Sequence, residues 1–141
     1  MSQYRLSFPS TIDHCRELRQ WVGVISHIEG YGEDFTFTLE LTVHEMYINA
    51  VRHGNQNDAQ LRVVVTFESA VDDRERSLEV SVRDCGGGFD PEHTIASICS
   101  SRTGASSGGR GLYIVTQLVK SFRIERLPDG CVVVMYYIPS C

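Results

Sequence analysis

The stretch EMYINAVRHGN, residues 45–55, places three polar side chains four residues apart on one predicted helix. Residues at i and i+4 lie on the same face of an α-helix, so Glu45, Asn49 and His53 would share one stripe. The solvent-exposed side of an amphipathic helix produces the same pattern. The stretch alone therefore leaves two interpretations open, a solvated helix surface and a site.

Patterns along the rest of the chain predict a sheet covered by helices. Helical spacing predicts helices at about 12–29, 34–53 and 110–121. Alternating patterns predict strands at 3–8, 61–68, 77–84, 122–127 and 131–138, the first of them at a sheet edge. Helices on one face of a mixed, mainly antiparallel sheet form an α/β (α+β) two-layer sandwich. No repeat or linker divides the sequence, so one domain over residues 1–141 is expected.

Local signals predict how three of these elements begin or end. Ser10 or Thr11 is expected to cap the first helix. Gly54 follows the second helix, at the place where a left-handed glycine commonly ends a helix. The charged stretch VDDRER, residues 71–76, is expected to be the turn between the second and third strands.

Composition limits the classes of partner and the compartment. The 141 residues carry a net charge of -5, and Lys120 is the single lysine, which argues against a general nucleic-acid surface. No signal peptide and no run of membrane-spanning length is present, so a cytoplasmic protein that does not contact membranes is expected. The cysteines form no CxxC pair, which disfavours a disulfide framework or a zinc knuckle, and a metal shared by His93 and Cys99 is also disfavoured.

The predicted strand at 77–84 directs a carboxylate toward the core. Its period of two puts Leu78, Val80, Val82 and Asp84 on one face. A carboxylate removed from water needs a hydrogen-bond donor at that place. An Asx turn at the DCGGG bend would supply backbone donors, and a ligand would supply a different one, so both interpretations stay open here.

Two glycine clusters follow, DCGGGFD at 84–90 and SSGGRGLYIV at 106–115. Glycines in the first allow a tight turn or the close approach of a ligand. In the second, Gly109 and Gly111 stand where a helix begins, and the free amides and positive dipole end of a helix attract anions. Glycines are also common at helix starts that bind nothing, so the cluster alone does not establish an anion site.

Three common nucleotide-binding patterns do not match. A P-loop requires GxxxxGK[ST], but Lys120 lies far from any glycine loop. The stretch VRDCGGGF lacks the His and Asn of a eukaryotic-type kinase catalytic loop. A Rossmann fingerprint follows the first strand of a βαβ unit, and neither glycine cluster does.

The order that remains is a helix with E-x-x-x-N, a strand ending in D-x-G-x-G, and a helix opened by GGxGL. EMYINAVRHG, DCGGGFD and GGRGLYIV resemble the three nucleotide-binding boxes of the GHKL ATPase superfamily. In length and element order the chain is similar to the short anti-sigma-factor serine kinases of that superfamily. The resemblance extends over essentially the whole chain and implies a Bergerat-type ATP-binding fold.

The resemblance also implies roles for residues of the first box. Glu45 would be the general base toward an incoming hydroxyl. Asn49 would coordinate a Mg²⁺ ion that bridges the nucleotide phosphates, in keeping with the preference of Mg²⁺ for oxygen ligands. His53 would be mainly structural.

The two glycine boxes would hold the nucleotide. By resemblance, Asp84 would accept a hydrogen bond from the exocyclic amine of adenine. Gly86 and Gly88 would let the chain pass the base and ribose, and residues 89–107 match the ATP lid. The backbone N–H groups of Gly109 and Gly111 would bind the phosphates. Arg110 would either contact a phosphate or face solvent.

The activity implied by the resemblance is transfer of the ATP γ-phosphoryl group to a serine of an anti-sigma antagonist. The protein would also bind a sigma factor and would be a homodimer. One departure concerns the lid, because Ser106 and Ser107 stand where relatives often carry an arginine, and Arg102 lies upstream. A nucleotide-responsive binding switch without phosphoryl transfer is the main alternative, and a domain without a ligand is a third.

Overall fold

The computed structural model describes residues 1–85 and 107–139, with the backbone alone at 107–110. Three α-helices and five strands make up most of these residues: β1 (Ser2–Pro9), α1 (Cys15–Glu29), α2 (Glu33–Asn49), β2 (Arg62–Asp72), β3 (Glu75–Arg83), α3 (Ser107–Leu118), β4 (Ser121–Leu127) and β5 (Gly130–Tyr137). A short 3₁₀ helix (Ile12–His14) precedes α1, and a π-helical segment (Ala50–Gly54) follows α2.

The five strands form one sheet in the order β1-β2-β3-β5-β4. All four pairings among the described residues are antiparallel, so these residues do not contain the parallel part of the expected mixed sheet. Strand β1 lies at an edge, as the sequence predicted. The two-layer α+β architecture is confirmed.

One face of the sheet shares a core with the three helices. On β2, Val63, Val65 and Phe67 are fully buried, whereas the alternate residues Val64 and Thr66 are only half-buried. Buried residues of all three helices belong to the same core cluster: Leu18, Val22 and Ile25 of α1, Leu39, Val43 and Met46 of α2, and Leu112 and Val115 of α3. Burial alternates along β2 because helices cover only one face of the sheet.

Two tyrosines fix the position of α2. The hydroxyl groups of Tyr137 and Thr42 lie 2.6 Å apart and share a hydrogen bond, which ties β5 to the helix. Tyr47 donates a hydrogen bond to the carbonyl oxygen of Thr11 at 2.8 Å. Burial raises the pKa of both phenols further above neutrality, so neither hydroxyl ionises at neutral pH. The helix that carries the first predicted site residues is therefore anchored at its middle, by Thr42, and near its C-terminal end, by Tyr47.

The turn between β2 and β3 is shorter than the sequence predicted. Pairing continues to Asp72 and Glu75, leaving Asp73 and Arg74 as the loop, with φ angles of 48° and 70°. Left-handed conformations at both loop residues are typical of the type I′ turn, whose twist matches that of the flanking strands. The expected six-residue turn VDDRER is wrong because four of its residues pair across the ladder.

The start of the first helix also differs from the prediction. Thr11 stands at the N-cap position of the 3₁₀ helix, but its side chain makes no capping hydrogen bond. The Ser10 hydroxyl instead accepts a hydrogen bond from the side-chain amide of Asn55 at 3.0 Å. The expected cap is wrong for both candidates: Thr11 makes no capping bond, and Asn55, a buried residue distant in sequence, binds the hydroxyl oxygen of Ser10.

The end of α2 contradicts the predicted role of Gly54. The α-helix ends at Asn49, and the next five residues form the π-helical segment, closed by a 2.8 Å hydrogen bond from the amide of Asn55 to the carbonyl of Ala50. Gly54 is not among the left-handed residues; Gln56 and Asn57 are, with φ angles of 52° and 61°. A π-helical turn needs no left-handed glycine at this point, so the requirement for glycine has another cause.

Helix α3 begins and ends about three residues earlier than the predicted 110–121. After Leu118 the chain turns into β4, and the amide of Lys120 already donates to the carbonyl of Tyr136 on β5 at 2.8 Å. Sheet pairing therefore ends the helix. Gly111 consequently lies in the second turn of α3 and not at its start.

Candidate functional site

A small cavity lies where α2, α3, β3 and β5 meet. Its volume is about 10 Å³, room for about one water molecule. Two polar side chains and five apolar ones line it: Asn49 and Asp84, with Met46, Ala50, Val82, Leu112 and Val133. Ligand sites share this kind of lining, apolar walls with a few convergent polar groups, but their pockets are larger, about 300–1,000 Å³.

Asn49 supplies one of the polar groups. It is 4% exposed, and no described residue hydrogen-bonds its carboxamide. Buried amides nearly always have a partner, so an amide that faces a cavity without one fits a site for a ligand. A carboxamide oxygen is also a hard donor of the kind that Mg²⁺ accepts. The residue present at this position therefore fits a magnesium ligand.

Asp84 supplies the other polar group, and it points inward as the strand pattern predicted. It is 3% exposed, and its Oδ1 accepts a hydrogen bond from the backbone amide of Cys131 at 3.2 Å. Its own amide donates to the carbonyl of Cys131 at 3.0 Å. A backbone donor on the neighbouring strand thus meets part of the need of the carboxylate. The alternative of an Asx turn depends on residues from 86 onward, which lie outside the described residues.

Gly54 is required by the close approach of this carboxylate. A Cβ built on Gly54 would stand 2.8 Å from the Cβ of Asp84 and would overlap its carboxylate. Gly130, which has a φ of 153°, allows a similar approach to the carbonyl of Asp84. Backbone without side chains therefore encloses Asp84 on two sides.

Glu45 lies one turn before Asn49 on α2, just outside the cavity. It is half-buried, its carboxylate packs against Gly111, and a Cβ on Gly111 would overlap that carboxylate. No described residue hydrogen-bonds the carboxylate of Glu45. Gly111 precedes Leu112, which lines the cavity, so the carboxylate of Glu45 lies against the helix that forms one cavity wall.

The start of α3 bears on the expected phosphate contacts. The amides of its first turn, which includes Gly109, have no acceptor within the helix. Gly111 lies beyond that turn, where helical geometry directs its amide to the carbonyl of Ser107. Contact of either glycine with phosphate stays a prediction, but the structure adds a separate reason for glycine at 111.

Several predicted site residues cannot be located. Gly86, Gly88, most of the lid at 89–107, and the possible metal pair His93 and Cys99 lie outside the described residues. So does the side chain of Arg110. Within 1–85 and 107–139 there is no group of three or more His, Cys, Asp or Glu residues that could hold a metal ion. No helix in these ranges is long and apolar enough to cross a membrane.

The sequence analysis missed Asn55 and most of the cavity walls. Asn55 is 2% exposed, and its Oδ1 accepts a hydrogen bond from the amide of Cys85 at 2.9 Å. An asparagine after HG at a helix end is typical of an exposed turn, so its type gave no signal of burial. Met46 could have been found, because it stands three residues before Asn49 and shares its helix face.

The chain matches a known protein family over most of its length. The model described as "Histidine kinase-like ATPase domain" matches residues 8–137. The serine-protein kinase RsbW of Bacillus subtilis (strain 168) is 30% identical over 128 residues, which are 82% of this chain and 72% of that protein. The serine-protein kinase RsbW of Bacillus velezensis is 31% identical over 115 residues, 73% of this chain and 64% of that protein.

Solved structures agree on the fold. The structure of the RsbU and RsbW domains of Rv1364c from Mycobacterium tuberculosis superposes with a TM-score of 0.67 at 18% identity, covering 99% of this chain and 33% of that one. The SiaB–SiaC complex from Pseudomonas aeruginosa gives a TM-score of 0.58 at 11% identity, covering 96% of this chain and 89% of the matched one. At these identities the likeness concerns the fold alone.

Proposed function

Because the chain belongs to the family of histidine kinase-like ATPase domains, we propose that it is a protein serine kinase that uses Mg²⁺ and ATP. Its substrate is a serine on a small antagonist protein, and its second activity is binding of a sigma factor. The observation that carries the proposal is the shared cavity of Asn49 and Asp84, with Glu45 one helical turn away.

Each residue has one task in this proposal. The carboxylate of Asp84 accepts a hydrogen bond from the exocyclic N–H of adenine, and the apolar side chains of the cavity wall contact the faces of the ring. The carboxamide oxygen of Asn49 would hold Mg²⁺, and the ion would offset the charge of the phosphates. The first-turn amides of α3 donate to the phosphate oxygens.

Glu45 is the proposed general base. Its carboxylate takes the proton of the substrate serine while the serine oxygen bonds to the γ-phosphorus. The bond between that phosphorus and the bridging oxygen breaks, and ADP leaves. Because Asn49 stands one turn further along α2, a base and a metal ligand on one rigid helix can address the same phosphoryl group.

The size of the cavity adds a condition. Room for about one water molecule does not admit a purine, so the walls must separate when the base enters. Helix α3 contributes Leu112 to the cavity wall, and the amides of its first turn are the proposed phosphate donors. The first turns of α3 are therefore the part of the wall that we expect to move. Binding of the base and ordering of the phosphate site would then be one event.

The partners are proposed on other grounds. Two relatives carry the name serine-protein kinase, and one structural neighbour was solved as a complex with a second protein. The sigma factor, the antagonist and the homodimer come from the resemblance to anti-sigma-factor kinases. The net charge of -5 favours protein partners over direct contact with nucleic acid.

A pair of glutamate variants tests the proposal. Glu45→Gln should lower phosphoryl transfer from labelled ATP to a candidate antagonist by about 10²- to 10⁴-fold, because the base is lost. Glu40→Gln is the matched control, since Glu40 lies on the same helix but faces α1, with its Oε2 3.4 Å from Nε of Arg19. It should keep the parental rate.

Two outcomes would contradict the proposal. Wild-type transfer rates in the Glu45→Gln variant would remove Glu45 as the base. ATP binding without transfer to any antagonist would indicate a nucleotide-responsive binding switch instead of a kinase.

A further inference from the structure

Asn55 makes side-chain hydrogen bonds to three separate parts of the fold. Its Nδ2 donates to the hydroxyl of Ser10 at 3.0 Å and to the carbonyl of Arg62 at 3.1 Å. Its Oδ1 accepts the backbone amide of Cys85 at 2.9 Å. The carboxamide therefore joins the end of β1, the start of β2 and the residue that follows Asp84.

The backbone of Asn55 connects this junction to the other end of the cavity. Its amide closes the π-helical segment on the carbonyl of Ala50, and Asn49 directly precedes that segment. The residue before it, Gly54, packs against the carboxylate of Asp84. One short segment thus touches both polar groups of the cavity, although Gly54 and Asn55 do not line it themselves.

We propose that Asn55 is a positioning residue for recognition of the adenine base. Its Oδ1 fixes the peptide between Asp84 and Cys85, and thereby the direction of the Asp84 carboxylate. Because the same residue closes the segment after Asn49, it also holds the base end and the metal end of the site at a fixed separation. This inference rests on the proposed function, since it concerns the proposed ATP site.

Loss of the side chain would release the strand end. Asn55→Ala leaves the amide of Cys85 without its acceptor and opens space beneath the peptide, which can then rotate or take up water. The hydrogen bond from the amide of Cys131 reaches Oδ1 of the carboxylate. When the peptide between Asp84 and Cys85 is free to rotate, the carboxylate loses its fixed direction, and base selectivity depends on that direction.

Selectivity between ATP and inosine triphosphate reports on this direction. Inosine has an oxygen where adenine has the exocyclic amine, so a fixed carboxylate accepts from adenine and repels inosine. The wild-type protein should bind ATP more tightly by at least about tenfold, and Asn55→Ala should reduce that ratio by about tenfold. A residue that only stabilises the fold would lower both affinities together and leave the ratio unchanged.

Two further variants separate positioning from stability. Ser10→Ala removes one partner of Asn55 but leaves the bond to Cys85, so it should lower the melting temperature and keep the nucleotide ratio. Asn55→Asp keeps an acceptor for the Cys85 amide and loses both donors, so it should also keep the ratio. If Asn55→Ala does not fold, Asn55→Ser replaces it, because a serine side chain is too short to reach Cys85.

Amide hydrogen exchange at Cys85 gives a readout that needs no nucleotide. Exchange should be slow in the wild type and in Asn55→Asp, and faster in Asn55→Ala. A wild-type protein that binds neither nucleotide would end the proposed function and this inference with it. A wild type that prefers ATP, with the same preference in folded Asn55→Ala, would overturn the inference and leave the proposed function standing.

Discussion

Replacement of Gly54 by alanine should damage the fold and the site together. The added methyl group would stand 2.8 Å from the Cβ of Asp84 and overlap its carboxylate. Asp84 cannot easily retreat, because its amide and Oδ1 both bond Cys131 and its carbonyl lies against Gly130. The contact is with a short, buried side chain held by backbone, so the strain is not relieved by a change of rotamer.

The expected cost follows from two opposing effects. Overpacking of a tight interior site costs about 1–3 kcal/mol. Alanine in place of glycine in a helical segment returns about 0.5–1 kcal/mol by reducing the entropy of the unfolded chain. The two ranges combine to a fall of about 0–2.5 kcal/mol in the free energy of unfolding, which is up to about 10 °C in melting temperature for a chain of this length.

Urea unfolding followed by circular dichroism measures this cost, and Gly23→Ala is the matched control. Gly23 lies within α1, and a Cβ there would meet nothing within 4 Å. That variant should gain about 0.5–1 kcal/mol. A Gly54→Ala protein as stable as Gly23→Ala would refute the reasoning, because it would show that the approach of Asp84 does not require glycine.

Two other changes test separate contacts. In Gly111→Ala, the added methyl group displaces the flexible end of the Glu45 side chain. We expect the free energy of unfolding to stay within about 1 kcal/mol of wild type, while phosphoryl transfer falls by roughly tenfold or more. An unchanged transfer rate would contradict the contact. Burial alone would raise the pKa of Glu29, but hydrogen bonds from Ser69 and Tyr4 outweigh it and hold the pKa below its ordinary value. The stabilisation is present above the pKa that Glu29 has in the unfolded chain, and it is lost as pH falls through the lower pKa of the folded state. Tyr4→Phe should therefore lower the free energy of unfolding at pH 7 and lower it much less at pH 3, as measured by parallel urea titrations. An equal loss at both pH values would contradict this reasoning.

Local patterns predicted the sheet and the direction of Asp84 well. The period of two along β3 depends only on the pleat and on which face is covered, so it holds wherever the strand ends. Turn length was harder, because Asp73 and Arg74 adopt left-handed conformations that their residue types allow but do not demand.

The environment of Asp84 could not be predicted from local patterns. Gly54 matches a helix-ending glycine in sequence, and only the π-helical segment shows that the glycine makes room for a carboxylate 30 positions later. The burial of Asn55 also depends on residues far from one another in sequence, since its partners are Ser10, Arg62 and Cys85. Contacts of this kind arise from the packing of strands against a helix end, and no window of sequence contains them.

The most direct test of a shared nucleotide cavity is calorimetric binding of ATP, with and without Mg²⁺, to Asp84→Asn and Asn49→Ala. Asp84→Asn should weaken binding about tenfold or more in both conditions, because the base contact does not involve the metal. Asn49→Ala should weaken binding in Mg²⁺ and match the wild type without it. Asp129→Asn, at an exposed carboxylate paired with Arg83, is the control and should bind as the wild type does. Equal losses for both cavity variants in both conditions, or no ATP binding by the wild type at millimolar concentration, would contradict the account.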